Sequence, residues 1–175
     1  MQKIVLTFGL IAGLIVSTFM VCSIGYCYSS GNFDGNIVVG YAAMLLAFSL
    51  VFVGVKNYRD KYNNGSISFG KAFRIGLYIS LIASTIYVLV WLVDYYMFVP
   101  DFMEKYTTHV IQDAKENGAS TAEIKEQIKM MEESAKLYET PIGVILLTYM
   151  EILPIGLAVT LISALILKRK HTAMA

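Results

Sequence analysis

Four stretches of this chain run almost without charge over a membrane-spanning length: Ile4 to about Tyr28, Ile37 to Val55, about Ala72 to Val99, and Ile142 to Leu167. Apolar runs of about 18 or more residues read as transmembrane helices. A helix of a soluble bundle would carry a polar face, whereas these runs are apolar all round. The expected spans are about 4–28, 37–55, 72–99 and 141–167, the last opening at Pro141. Composition agrees. The chain of 175 residues is 57% hydrophobic and only 15% charged, against about 25% charged in ordinary soluble domains.

The charges that remain are partitioned. Nine basic residues (Lys3, Lys56, Arg59, Lys61, Lys71, Arg74, Lys168, Arg169, Lys170) lie at the amino end, in the 56–74 connector and at the carboxyl end. The segment between the third and fourth runs holds the other five bases beside nine acids. Alternation of this kind follows the positive-inside rule. It puts both termini and the connector in the cytoplasm, and the 29–36 turn and the 100–140 insert outside. The amino-terminal run is too long for the apolar core of a signal peptide and has no small-residue cleavage site after it, so a retained helix is expected.

Local signals place the elements. Gly9, Gly13 and Ser17, then Gly76, Ser80 and Ser84, and then Gly156, Thr160 and Ala164 recur every four residues, a spacing that lets helices approach closely. Gly40 with Met44, and Ala43 with Ala47, offer further thin contacts on the second run. Asn63-Asn64-Gly65 is a turn, and Ser68 is the expected N-cap of the third helix. Trp91, Tyr95, Tyr96 and Phe98 read as an interfacial aromatic belt, and Pro100 ends the run. In the insert, Phe102, Tyr106, Val110 and Ala114 share one helical face. Gly118 stops that helix, and Ser120 with Glu123 forms a capping box for a second, whose stripe is Ile124, Ile128, Met131, Ala135 and Tyr138. Thr140-Pro141 starts the last span. The fold expected is an all-α membrane protein, four transmembrane helices forming one membrane domain, with an extracytoplasmic helical hairpin between helices three and four.

Chemistry is sparse. Gly65-Ser66-Ile67-Ser68-Phe69-Gly70-Lys71 matches G-x-x-x-x-G-K, but Ala72 stands where Mg²⁺ needs Ser or Thr, and an apolar helix precedes the motif instead of a strand. No nucleotide is expected. The connector reads as a basic anchor, with Lys56, Arg59, Lys61, Lys71 and Arg74 as candidates for contact with anionic lipid or a cytoplasmic partner. Glu151 is the sharper residue. It lies about 15 Å along its helix from Pro141, near mid-bilayer, where a charge costs about 2.5–3.5 kcal/mol. It is therefore expected to face the bundle interior, hydrogen-bonded to groups such as Tyr87, Ser84 or Thr18. Pro154 deprives the Met150 carbonyl of its amide partner three residues on and can kink the helix there. Asp94 is shallower, near the tyrosine belt. Cys22 and Cys27 are too far apart around one helix to pair, and read as buried small hydrophobes. His109 and His171 are isolated. No metal site, cofactor, nucleic-acid surface or catalytic arrangement is expected, and the chain is not read as an enzyme.

The run Val55-Lys56-Asn57-Tyr58-Arg59-Asp60-Lys61, the following Gly65 to Phe73, Val99-Pro100-Asp101-Phe102, and Glu151-Ile-Leu-Pro-Ile-Gly156 leading to Leu161 through Lys170 resemble the family of domain of unknown function 4199. The resemblance covers nearly the whole chain. It implies a four-span protein of the bacterial inner membrane, chiefly in Bacteroidota, with an extracytoplasmic insert between spans three and four. It implies no activity and carries over no site residues. Two functions stay open. One is a non-catalytic scaffold or accessory subunit, binding a partner through the hairpin or the basic loop, with membrane lipids and a homo-oligomer or membrane complex as its surroundings. The other is an oligomeric conduit for an ion, proton or small solute that uses Glu151. No internal repeat is evident, which counts against a secondary transporter.

Overall fold

The computed structural model describes residues 1–31, 33 and 37–169. They form six helices: α1 (Gln2–Ser30), α2 (Ile37–Tyr62), α3 (Phe69–Met97), α4 (Phe102–Glu116), α5 (Thr121–Tyr138) and α6 (Pro141–Leu167). Among the described residues there is no strand, only an isolated antiparallel bridge between Ile67 and Arg169. Four helices (α1, α2, α3 and α6) are long and apolar enough to cross a membrane. Asp34 of the 29–36 turn, together with Lys170 and His171, lies outside the described residues.

Helix α3 organises the bundle, packing along α1 on one side and α6 on the other, while α2 closes the ring against α6 and α1. The small residues explain the close approach. A Cβ built on Gly9 would sit 2.8 Å from the Ile82 Cβ, and one on Gly13 would sit 2.9 Å from the Ile86 Cβ. Both contacts advance along α1 and α3 in the same sense, so these helices are parallel. On the other side, Gly156 faces Phe48 and Ser80, and Gly76 faces Thr160. The interior between them is filled by Phe48, Val51, Ile75, Ile79, Val144 and Ile152. Outward positions are equally apolar, among them Leu14, Leu46, Leu89, Met150 and Ile166. A bundle apolar inside and out suits a lipid surround and would be insoluble without one.

Two core hydroxyls, of Ser80 and Thr160, join α3 to α6. The Ser80 hydroxyl lies 3.1 Å from the Gly156 carbonyl oxygen and 3.0 Å from Thr160 Oγ1. At the exposed edge of the same seam, Thr85 Oγ1 lies 2.8 Å from the Tyr149 hydroxyl. Interhelical hydrogen bonds of this kind contribute about 0.6 kcal/mol on average in membranes. Gly40 departs from expectation. A Cβ there would meet nothing within 4 Å, so it is no packing point, whereas Met44 and Ala47 of the same helix are buried.

The end signals act as the residue types dictate. Ser68 Oγ accepts from the Lys71 amide, Ser120 and Glu123 complete a reciprocal capping box, and Thr140 caps α6 ahead of Pro141. Asn64 and Gly65 take positive φ (50° and 72°) and Gly118 does so after α4 (77°), each where the chain must reverse. The non-helical part of the connector is short, Asn63 to Ser68, because α2 continues helically to Tyr62 and carries Lys56, Arg59 and Lys61 on its last turns. Helix α6 is continuous through Pro154.

Candidate functional site

Three places carry polar chemistry, and they sit at different depths. The first is the middle of α6. Glu151 lies exposed at the edge of the bundle, beside Met150 and Pro154 and off the inward line expected for it, with its carboxyl turned back toward Tyr87. The physical reason is helical phase. Thr148, Ile152 and Gly156 take the inward positions against α3 and α2, and Glu151 falls one residue off that line. Its carboxyl accepts a hydrogen bond from the hydroxyl of Tyr87, whose ring is buried. Of the three partners expected for it, only Tyr87 is one. The Ser84 hydroxyl is buried with no hydrogen-bond partner, and Thr18 lies exposed on α1. The helix neighbours of Glu151, Thr148 and Ile152, are buried in the core.

The second place is the junction of bundle and hairpin. Trp91 and Tyr95, expected in a lipid-facing belt, are only 5% and 8% exposed. Trp91 stands edge-on to Phe102, with ring centroids 5.1 Å apart, and Tyr95 edge-on to Tyr138 at 5.2 Å. Edge-to-face pairs of this kind add about 0.5–1.5 kcal/mol beyond burial. Tyr96 and Phe98 stay outward, as a belt requires. Asp94 is half-buried and its Oδ2 has no partner, while its backbone carbonyl accepts from both Phe98 and Val99. The hairpin is tied down at its base by Asp101. Its carboxylate accepts from the Tyr28 hydroxyl at 2.8 Å and pairs with Lys105 at 2.7 Å. Lys105, and then Tyr28, hold the Asp101 carboxyl below the ordinary carboxylate range.

Beyond that base the hairpin is loosely built. No residue of α5 is fully buried. A cleft of about 810 Å³ opens between its arms, walled by Phe33, Tyr106 and Val110 on the apolar side and by Asp113, Glu123 and Gln127 on the polar side. Gln127 Oε1 is buried there without a hydrogen-bond partner. His109 also borders this cleft, its ring 6.4 Å from Phe33.

The third place is the connector end. The candidates there separate. Arg59 is committed to Asp60 through two hydrogen bonds, of 2.6 and 3.2 Å. Lys56, Lys61 and Arg74 project from the surface. Lys71 instead turns inward, 2.9 Å from Asn63 Oδ1 and 5.0 Å from the centre of the Tyr58 ring. The connector is preceded by helix α2, so the glycine–lysine wording carries no strand-loop-helix phosphate cradle. What sequence reasoning missed is that Arg169 bonds back to it. The Ile67 amide donates to the Arg169 carbonyl at 3.0 Å, and the Arg169 amide donates to the Ile67 carbonyl at 2.8 Å. The apolar Ile67 within a polar turn was the available signal, and it is 2% exposed.

The cysteines also depart from expectation. Cys22 is exposed on α1 and Cys27 half-exposed, both as free thiols. Position decides this, because the inward line of α1 runs through Gly9, Gly13, Ser17 and Met20.

Fold and surface define an all-α protein of membrane-spanning type, with a helical hairpin set on one end of its bundle. Residues 7–169 match the family model described as protein of unknown function (DUF4199), and the chain belongs to that family. Comparison with curated proteins and with solved structures finds no match.

Proposed function

We propose that this protein is a non-catalytic membrane scaffold or accessory subunit that holds a partner protein in the cleft of its α4–α5 hairpin. The basic connector end faces the cytoplasm on this reading, by the positive-inside rule, and the hairpin stands outside. The bacterial inner membrane is the setting that the family resemblance implies. The observation that carries the reading is the cleft itself: an open groove with one apolar wall, whose polar wall carries the Asp113 and Glu123 carboxylates and the Gln127 amide. Glu123 is occupied by its cap and Asp113 partly by Asn117, but Gln127 Oε1 is buried and unsatisfied. An unmet buried acceptor costs about 1–3 kcal/mol. A partner segment bringing apolar side chains and N–H donors, cationic ones above all, would satisfy it and complement the five bases and nine acids of the insert.

The conduit reading loses support in its simplest form. Glu151 sits outside a filled core, so only an assembly apposing several α6 helices would put the carboxyl on a pathway. The test is photocrosslinking in membranes from Val110, with Leu46 on the outer face of α2 as control, in the native and Asp113→Lys proteins. A defined adduct from Val110 that is absent at Leu46 and lost with Asp113→Lys is expected. Equal or no crosslinking from both positions across growth conditions refutes the hairpin as the docking element.

A further inference from the structure

The mutual pairing of Ile67 and Arg169 builds a cavity that neither segment forms alone. It measures about 640 Å³ and lies at the end of the bundle where α3 begins and α6 ends. Its charged wall is Lys71, Lys168 and Arg169, with the hydroxyls of Ser66 and Ser68 beside them, and Phe69 supplies an apolar side. No acid lines it. Asp60 of the same bundle end is already bound by Arg59 at 2.6 Å. Lys168 and Arg169 make no ion pair among the described residues, and Lys71 uses one of its donors on Asn63. Three cations thus line one cavity with no carboxylate between them among the described residues, and one of them, Arg169, is fixed by a backbone bridge to Ile67 of 2.8 and 3.0 Å.

Two further features narrow the ligand. Phe69 is 38% exposed and stacks on Phe73 with ring centroids 6.0 Å apart, presenting an aromatic surface at the level where two spanning helices leave the membrane. Lys71 also sits in the opening turn of α3, where a cation opposes the helix dipole and an anion relieves it. We infer that this cavity binds the phosphate headgroup of an anionic phospholipid. The Lys71, Lys168 and Arg169 side chains and the two serine hydroxyls would surround the phosphate oxygens, and the acyl chain would leave past Phe69 into the bilayer. Lysine acts at such sites as a point charge, and arginine can add a paired hydrogen bond to the phosphate.

The experiment uses the full chain in nanodiscs of phosphatidylcholine doped with phosphatidylglycerol, ejected and weighed by native mass spectrometry. A saturable phosphatidylglycerol adduct is expected. It should be weakened roughly a hundredfold in Lys71→Gln/Lys168→Gln/Arg169→Gln, three charges near an anionic headgroup. The variant Lys71→Arg/Lys168→Arg keeps the charge and should retain the adduct, which separates lost binding from lost folding. The control Lys56→Gln/Lys61→Gln/Arg74→Gln, equal in charge but outside the cavity, should retain it too. Equal loss in the control overturns the site, since general surface attraction then explains the adduct. No preference for phosphatidylglycerol over phosphatidylcholine overturns it as well. Displacement of the lipid by millimolar inorganic phosphate or ATP would assign the cavity to a soluble phosphate and overturn the lipid.

Discussion

Adding one methyl group at each of two glycines should move stability in opposite directions. Gly13→Ala puts a Cβ 2.7 Å from Ile86 Cδ1, 2.9 Å from Ile86 Cβ and 3.2 Å from the Ala83 Cα. The Cδ1 can rotate away. The Ile86 Cβ and the Ala83 backbone move only with the helix, so α1 and α3 must part by some tenths of an ångström along their longest mutual contact. Overpacking of this kind costs about 1–3 kcal/mol, against a helix-propensity gain of about 1 kcal/mol for replacing glycine. The net expectation is destabilisation by up to about 2 kcal/mol. Gly40→Ala meets nothing within 4 Å, so only the propensity gain remains and the variant should be neutral or up to about 1 kcal/mol more stable. Reversible unfolding in mixed detergent–SDS micelles, followed by fluorescence of Trp91, the chain's single tryptophan, measures both. If the two variants shift the midpoint in the same direction, close α1–α3 packing is not what the glycine spacing encodes.

Ser80→Ala and Thr160→Val should each destabilise by about 0.6–1.7 kcal/mol and couple in a double-mutant cycle, because they share one buried hydrogen bond; additive losses would refute the shared bond. Phe102→Ala removes the edge-on partner of Trp91 and should shift its emission to the red and loosen the hairpin to protease, with unfolding of the spans little changed. Glu151→Gln keeps an acceptor for the Tyr87 hydroxyl, and the scaffold reading expects an intact fold and unchanged proton flux in proteoliposomes; abolished flux would restore the conduit. The backbone amide and hydroxyl of Ser120 hold the Glu123 carboxyl below its ordinary range. The folded value lies under the unfolded one, so the cap's contribution is complete above the ordinary carboxylate range and fades as pH falls through the folded value. Hydrogen exchange at the start of α5 should rise only at that acidic limit, and Glu123→Gln should remove the pH dependence.

The spans and their ends were legible because each rests on a local rule. An uncharged run of spanning length, Ser68 before a helix, Ser120 three residues ahead of Glu123, and Pro141 after Thr140 all carry their consequence with them. Which face of a span turns inward was far less legible. A helix apolar on every side has no stripe to orient it, so Glu151, Cys22 and Cys27 were placed inside when the register of the small residues puts them outside. Trp91 and Tyr95 show the converse: their chemistry suits an interface, but the hairpin folds over them and makes them core. The Ile67–Arg169 pairing was hidden for another reason. It is made by backbone groups of distant segments, and side-chain patterns say nothing about such a contact.

That pairing also sets an order of events. The connector is synthesised with the second and third spans, but its partner, Arg169, emerges only after the fourth span is complete. Until then the Ile67 amide and carbonyl lack their partners, and Lys71 faces an unfinished cavity wall. The residue just past the fourth span therefore completes the connector end. A chain cut after α6 would keep all its spanning helices but lose this clasp, a difference that separates insertion from maturation.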